Sequence, residues 1–410
     1  MDKIVSLTGR EILNGRGMPT VEVELTTDSG ISVSASVPSG TSTGAYEAHE
    51  LFDGGPRYRG RGTRKAASNV STILQKKLIG MDVSRQSDID QLMCDLDGTP
   101  NKSALGANAI LPVSLAAAKA SALSQKEPLY AYLHRLYEYG SMRLPDIVAT
   151  VISGGVFSPS GLEFEDYMYV LSGFSDFSQQ LEALSELRYQ LGIEAKKRYG
   201  DILEDGGALA PPLSSSEEAF DLMLSVAGSL GLEQHVAIGL DVAATELFSS
   251  HDGKYKLGKN SVLTKEELME RYAYLCNAYP VGLIEDGLEE NDFEGFNALK
   301  ALVPGIQIVG DDLFATNVDR INKGLEFDSA NSLLLKVNQI GTLTEALDAS
   351  TLAQSNGMDV IVSLRSGETE DSFISDLAVG IGARQIKLGS PVRLERNVKY
   401  NRLLRIAEDF

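Results

Sequence analysis

Ser332-Leu333-Leu334-Leu335-Lys336-Val337-Asn338-Gln339 decides how the rest of the chain is read. Three leucines in a row predict a strand buried on both faces, because such a strand loses the apolar/polar alternation. A lysine follows at once. Two readings are open for it. A strand-end lysine can snorkel its ammonium to water. A buried one is desolvated, which lowers its pKa towards that of a usable base.

The same pattern, an apolar strand ending in charge, recurs through the C-terminal half. Val236 to Leu240 ends in Asp241, and Val281 to Ile284 in Glu285-Asp286. Ile306 to Val309 ends, after Gly310, in Asp311-Asp312. Val360 to Val362 ends in Ser363-Leu364-Arg365-Ser366, and Gln385-Ile386 in Lys387. Repeated strand-helix units predict a parallel sheet with helical crossovers. Charged groups at the C-terminal ends of successive barrel strands read as an active site. Acids from three strand ends can hold a hard cation through oxygen ligands. Two lysines and an arginine in the same rim suit an anionic substrate.

The chain has 410 residues, enough for two domains. With 43% apolar residues it has the composition of a globular protein. It lacks a run of about 18 apolar residues, so no membrane span is expected. Met1-Asp2-Lys3-Ile4 does not open a signal-peptide core. Cys94 and Cys276 are the only cysteines, which fits a reducing cytoplasm and no disulfide framework. A net charge of -20 argues against nucleic acid, which needs a basic footprint.

Nearer the N-terminus, Val21 to Thr27 and Ile31 to Val37 alternate with period two around a turn at Asp28-Ser29-Gly30, predicting a hairpin. Pro38 to Gly44 follows, rich in glycine and small hydroxyl residues. It is open to reading as a plain connector or as a lid. Helices are expected over Ala66–Leu78, Asp88–Leu96, Asn108–Leu123, Ala131–Leu136 and Phe177–Tyr199. Pro112 is expected near a helix start, where its missing N–H costs least. Glu204-Asp205-Gly206-Gly207 reads as the start of an irregular loop. Ser214 and Glu217 read as a capping box opening a helix to Leu230. Met142 to Pro145 reads as a junction, giving domains at 1–140 and 141–410.

These stretches together resemble the enolase family, phosphopyruvate hydratases, over nearly the whole chain. The resemblance is carried by Arg16-Gly17 with Pro19 to Glu24, Pro38-Ser39-Gly40 with Ser42-Thr43-Gly44, and Leu105 to Leu111. It continues through Ile238 to Asp241, Ile284-Glu285-Asp286, Asp311-Asp312-Leu313, Leu333 to Thr342, and Arg365 to Asp371. It implies an α/β architecture, an N-terminal α+β capping domain on a modified (β/α)8 TIM-type barrel. It also implies Mg2+ on Asp241, Glu285 and Asp311, with Ser42 of the lid joining a second ion. Lys336 matches the general base, Lys387 a lysine on the substrate carboxylate, and Arg365 and Ser366 the phosphate-binding pair. The implied chemistry is proton removal beside a carboxylate, giving an ene-diolate. A homodimer or higher homo-oligomer is implied as well.

The departures from the family cluster in the site. Phe157 and Leu364 stand where enolases have histidines, and Asp166 where they have glutamate. Glu204-Asp205 stands where they have Asp-Glu, the second of which is the general acid, so both residues are catalytic candidates. Tyr46 also takes a usual histidine position. The chain's four histidines, His49, His134, His235 and His251, all lie elsewhere. Changes of this kind alter which substrate a pocket accepts. Asp166, Leu364 and Phe157 are therefore expected to line the substrate site. Three functions follow. One is an enolase-type lyase acting on 2-phosphoglycerate or a phosphorylated or phosphonylated analogue. Another is a paralogue of secondary metabolism, such as carboxyphosphonoenolpyruvate synthase. The third is a non-catalytic scaffold.

Overall fold

The structure, a computed structural model, describes residues 2–40, 44–156, 158, 160–258 and 261–410. The chain begins with three antiparallel strands, β1 (Ile4–Leu13), β2 (Pro19–Thr27) and β3 (Ser32–Ser36), ordered β1-β2-β3. The period-two pattern explains the sheet's two faces. Val21, Val23 and Leu25 are fully buried. Glu22 and Glu24 point the other way and pair with Arg10 of β1 at 3.0 and 2.8 Å. Helix Ala107–Ser124 packs on this sheet and is buried along nearly its whole length, so its sequence has no polar stripe. Pro112 sits in the second turn of that helix rather than at its start. It therefore removes one intrahelical bond, to the Asn108 carbonyl.

The remaining strands build a barrel with two additions. In chain order they are β4 (Asp146–Ser153), β5 (Asp166–Leu171), β6 (Leu203–Asp205), β7 (Ala208–Ala210) and β8 (Val236–Asp241). Then come β9 (Phe248–Ser249), β10 (Lys254–Leu257), β11 (Ser261–Leu263), β12 (Val281–Glu285) and β13 (Gln307–Gly310). Last are β14 (Ser332–Leu335), β15 (Asp359–Ser363) and β16 (Gln385–Lys387). The barrel runs β4-β5-β8-β12-β13-β14-β15-β16 and closes by parallel pairing of β16 with β4. β5 is antiparallel to both neighbours, so the barrel is not wholly parallel. The small sheet of β9 to β11 and the β6–β7 hairpin are attached outside this ring.

The triple leucine of β14 behaves as a two-sided strand. Leu334 joins Val148, Met168, Leu283, Val309 and Ile361 in the barrel interior. Leu333 and Leu335 join the larger cluster between barrel and helices. The interior is thus filled by side chains, and chemistry is left to the strand ends.

Two local expectations are corrected. Helix Ser216–Ser229 is capped by Ser215, whose hydroxyl accepts from the Glu218 amide at 3.3 Å, and Glu218 accepts from the Ser214 amide at 2.8 Å. The cap is one residue later than the pattern implied. The Gly206-Gly207 loop is a tight hairpin turn rather than irregular. Both glycines have positive φ, as a two-residue turn matched to strand twist requires. No helix among the described residues is long and apolar enough to cross a membrane.

Candidate active site

The strand ends converge because the ring is closed and its registers are aligned. Glu285 sits opposite Asp241 across β12 and β8, and Asp166 opposite Asp241 across β5 and β8. Ser363 sits opposite Lys387 across β15 and β16. Asp311 and Lys336 each follow their strand by one residue. A cavity of about 240 Å³ opens at this rim. Asp166, Asp205, Asp241, Asp311, Lys336, Leu364, Arg365, Ser366 and Lys387 all line it. Glu285 lies beneath them, 1% exposed.

Two ammonium groups organise the carboxylates. Lys387 Nζ donates to Asp241 Oδ2 at 2.8 Å and Glu285 Oε2 at 2.7 Å, with Asp166 Oδ2 at 4.0 Å. Burial alone would lower the Lys387 pKa, but Asp241 and Glu285 hold it well above the usual value. Burial would raise Asp241, yet Lys387 pulls it below the ordinary carboxylate range. Glu285 is pushed well above that range by burial and by the Asp241 charge. One ammonium thus serves two carboxylates. Glu285 Oε1, buried, has no hydrogen-bond partner.

Lys336 Nζ pairs with Asp311 Oδ2. Burial lowers its pKa, as the sequence implied, but the Asp311 charge outweighs burial and the net shift is upward. The expectation of a lowered lysine pKa is therefore corrected for this arrangement. The other Asp311 oxygen accepts from Gln339 Nε2 at 2.7 Å. Asp286 fixes the Asp311 loop from below, accepting the Asp311 and Asp312 amides at 2.9 and 2.7 Å.

Could these residues hold a cation? Oxygens of Asp286, Asp311 and Asp312 lie within 4.8 Å of one another. Both Asp286 oxygens are already taken by amides, so that trio is mainly a structural cluster. Asp241, Glu285 and Asp311 are also gathered at this rim. This set has an orphaned buried oxygen and carboxylates crowded enough to displace one another's pKa values. Oxygen-only, anionic donors of this kind suit a hard divalent ion.

Arg365 is fixed by the N-terminal part of the chain. Its guanidinium meets both oxygens of Glu47, at 2.8 and 3.1 Å, with both residues almost fully buried. Ser39 and Gly367 form a bridge beside it. Asp166 accepts from the Thr150 hydroxyl at 2.8 Å. Glu204 does not join the site. Alternation along β6 sends it away from Asp205, to Arg188 at 2.8 Å and Arg393 at 3.3 Å. Glu204 is not among the residues that line the cavity, whereas Asp205 is. Ser42 and Phe157 lie outside the described residues.

Several cavity residues were not anticipated. Glu165 lines it, with its carboxyl pushed well above the usual range by burial and by Asp241 and Asp166. Strand alternation would have opposed Glu165 to Asp166, but β5 begins only at Asp166. Arg16 enters from the turn after β1 and Arg396 from the last helix, Leu394–Ala407. Neither lies on a strand-end pattern that sequence could flag.

Residues 141–410 match the profile described as "Enolase, C-terminal TIM barrel domain", and residues 4–133 match "Enolase, N-terminal domain". The chain belongs to the enolase family. The enolase of Methanopyrus kandleri is 48% identical over 415 residues, spanning 100% of this chain and 96% of that protein. The enolase of Pyrococcus furiosus is 48% identical over 413 residues, spanning 99% and 95%. That of Methanocaldococcus jannaschii is 46% identical over 410 residues, spanning 99% and 95%. This enolase-family chain is accordingly a carbon–oxygen lyase of enolase type.

Proposed function

We propose that this enolase-family protein is a magnesium-dependent lyase that forms an ene-diolate from 2-phosphoglycerate or a close phosphorylated or phosphonylated analogue. The observation that carries the reading is the gathering of Lys336, Lys387, Asp241, Glu285 and Asp311 at one barrel rim. Asp241, Glu285 and Asp311 would hold the magnesium, with Ser42 of the lid stretch contributing by resemblance. Bound there, magnesium would offset the charge of the ene-diolate and compete with Lys336 for Asp311.

The chain's own residues do the rest. Lys336 takes the proton beside the carboxylate, and Lys387 faces that carboxylate. Arg365, held rigid by Glu47, presents a fork to phosphate, with Ser366 beside it. Leu364 and Asp166 shape the wall, and Phe157 is assigned there by sequence position. Asp205 occupies the acid position. The boundary between capping domain and barrel is placed at 140/141. A cytoplasmic homodimer or higher homo-oligomer is part of the same reading.

A paralogue of secondary metabolism, of the carboxyphosphonoenolpyruvate synthase kind, is the second reading. Leu364 in the cavity wall and Asp205 bound to Arg16 favour it. A scaffold without catalysis is disfavoured, since it has no use for paired lysines and carboxylates buried in one rim.

The test is incubation with 2-phosphoglycerate and magnesium, following phosphoenolpyruvate by NMR. Slow, chelator-sensitive formation is expected. A protein that binds neither magnesium nor 2-phosphoglycerate would overturn the reading in favour of the scaffold.

A further inference from the structure

The cations around the cavity are nearly all engaged. Arg16 holds Asp205, Lys336 holds Asp311, Lys387 holds Asp241 and Glu285, and Arg365 holds Glu47. Arg396 differs from these. It lines the same cavity and is only 8% exposed. Among the described residues no carboxylate lies within ion-pair distance of its guanidinium, and its buried Nε has no hydrogen-bond partner. Burying a charge without a partner is costly. Burial pulls the Arg396 pKa down, and the more distant Asp166 and Glu368 offset this only in part.

The backbone is shaped around this side chain. A Cβ on Gly206 would stand 2.5 Å from Arg396 Nη2, and one on Gly389 would collide with Nη1. Two positions therefore carry no side chain where the guanidinium passes. Gly206 follows Asp205 directly, and Gly389 follows Lys387 by two residues. The guanidinium thus lies between the hairpin bearing the acid position and the end of the strand bearing Lys387. The Arg365–Glu47 pair belongs to a different wall, made with the N-terminal part of the chain.

We propose that Arg396 is an anion-binding residue of the substrate site, receiving an acidic group at the end of the substrate that faces the Asp205 hairpin. This rests on the reading of Lys336 and Lys387 given above. It narrows the substrate class to acids that carry a further carboxylate or phosphoryl group, beyond the enolisable carboxylate and the group at Arg365. Asp205 is the neighbour of that end, and Arg16 already occupies one of its oxygens. A substituent that leaves as a stable anion makes less demand on a proton donor there.

Titration calorimetry in magnesium buffer tests this with two probes, 2-phosphoglycerate and 2,3-bisphosphoglycerate, which adds one phosphoryl group. The wild type is expected to prefer the second by about tenfold or more, a step of roughly 1.4 kcal/mol. Arg396→Met is expected to abolish that preference while 2-phosphoglycerate affinity changes by less than about threefold. Its unfolding temperature should hold or rise, because an unpaired charge has left the interior. A preference that survives Arg396→Met, or a wild type without preference, overturns the inference. So does a lowered unfolding temperature with the ligand ratio unchanged, which marks a purely structural arginine. Binding of neither probe by the wild type overturns the substrate reading itself, and this inference with it. Should Arg396→Met not fold, Arg396→Lys decides. It keeps the charge and loses the fork, so a reduced preference supports the assignment and an unchanged one overturns it.

Discussion

Arg16 Nη2 donates to Asp205 Oδ1 at 2.9 Å, tying the turn after β1 to the β6–β7 hairpin, which carries the residue proposed above as the acid. The same guanidinium donates through Nε to the Ser366 carbonyl at 3.2 Å. Proton delivery from that Asp205 oxygen would require the pair to break. The side chain is also one methylene shorter than the family's glutamate. General acid help is worth about 10²–10⁴ in rate, so 2-phosphoglycerate turnover is expected to lie some two powers of ten or more below an ordinary enolase. The combined change Phe157→His, Leu364→His and Asp205→Glu should restore part of it. Steady-state kinetics on both proteins checks this, and full activity in the wild type would refute divergence of the site.

Metal binding should depend on the strand-end acids. Asp241→Asn and Glu285→Gln each remove one anionic group and leave Lys387 with one hydrogen-bonded carboxylate and the more distant Asp166. Magnesium affinity should fall by about tenfold or more in each, since hard cations depend on ligand number and charge. Titration calorimetry reads the change directly. Unchanged affinity in both variants would remove these residues from the metal site.

The Arg365–Glu47 pair should be important to stability as well as to position. Both side chains are almost fully buried, 6% and 5% exposed. Glu47→Ala leaves a guanidinium inside without its main partner. Removing one member of a buried pair costs about 3–5 kcal/mol. Urea denaturation should show a loss of that order, and a loss below about 1 kcal/mol would mean the pair is solvated in practice.

Glu50 gives a pH dependence of defined sign. Its Oε1 accepts from the Gly40 amide at 3.3 Å. Burial raises its pKa from 4.5 to about 7, with Arg365 opposing. The folded protein then binds more protons than the unfolded chain between those values. Its contribution is fully present below 4.5 and is lost as pH rises through about 7. Stability should fall by up to about 1.4 kcal/mol for each pH unit within that window. Glu50→Gln should flatten the slope, and denaturation curves across this range measure it.

Much of the barrel and its rim is legible in the sequence. Val281–Glu285 and Ser332–Leu335 announced themselves because apolar runs ending in charge are imposed by a barrel whose interior is packed and whose rim is wet. The reversed strand β5 was not legible, because a strand buried on both faces reads alike in either direction. The hairpin at Gly206-Gly207 escaped because its strands are three residues each, too short to show a period. Its recognition would have separated Glu204 from Asp205 at once. Arg396 was invisible for another reason. On helix Leu394–Ala407 it reads as one more surface arginine, and only packing between two glycines reveals where it points.

The central claim is that Lys336 removes a proton beside a carboxylate, whatever the altered acid position does afterwards. Proton NMR of 2-phosphoglycerate in deuterated magnesium buffer measures that step alone. The wild type should exchange the α-proton faster than it forms phosphoenolpyruvate. Lys336→Ala should lose the exchange by at least about a hundredfold while its fold and magnesium affinity persist. Exchange that continues undiminished in Lys336→Ala would show that another group takes the proton, and would contradict the account.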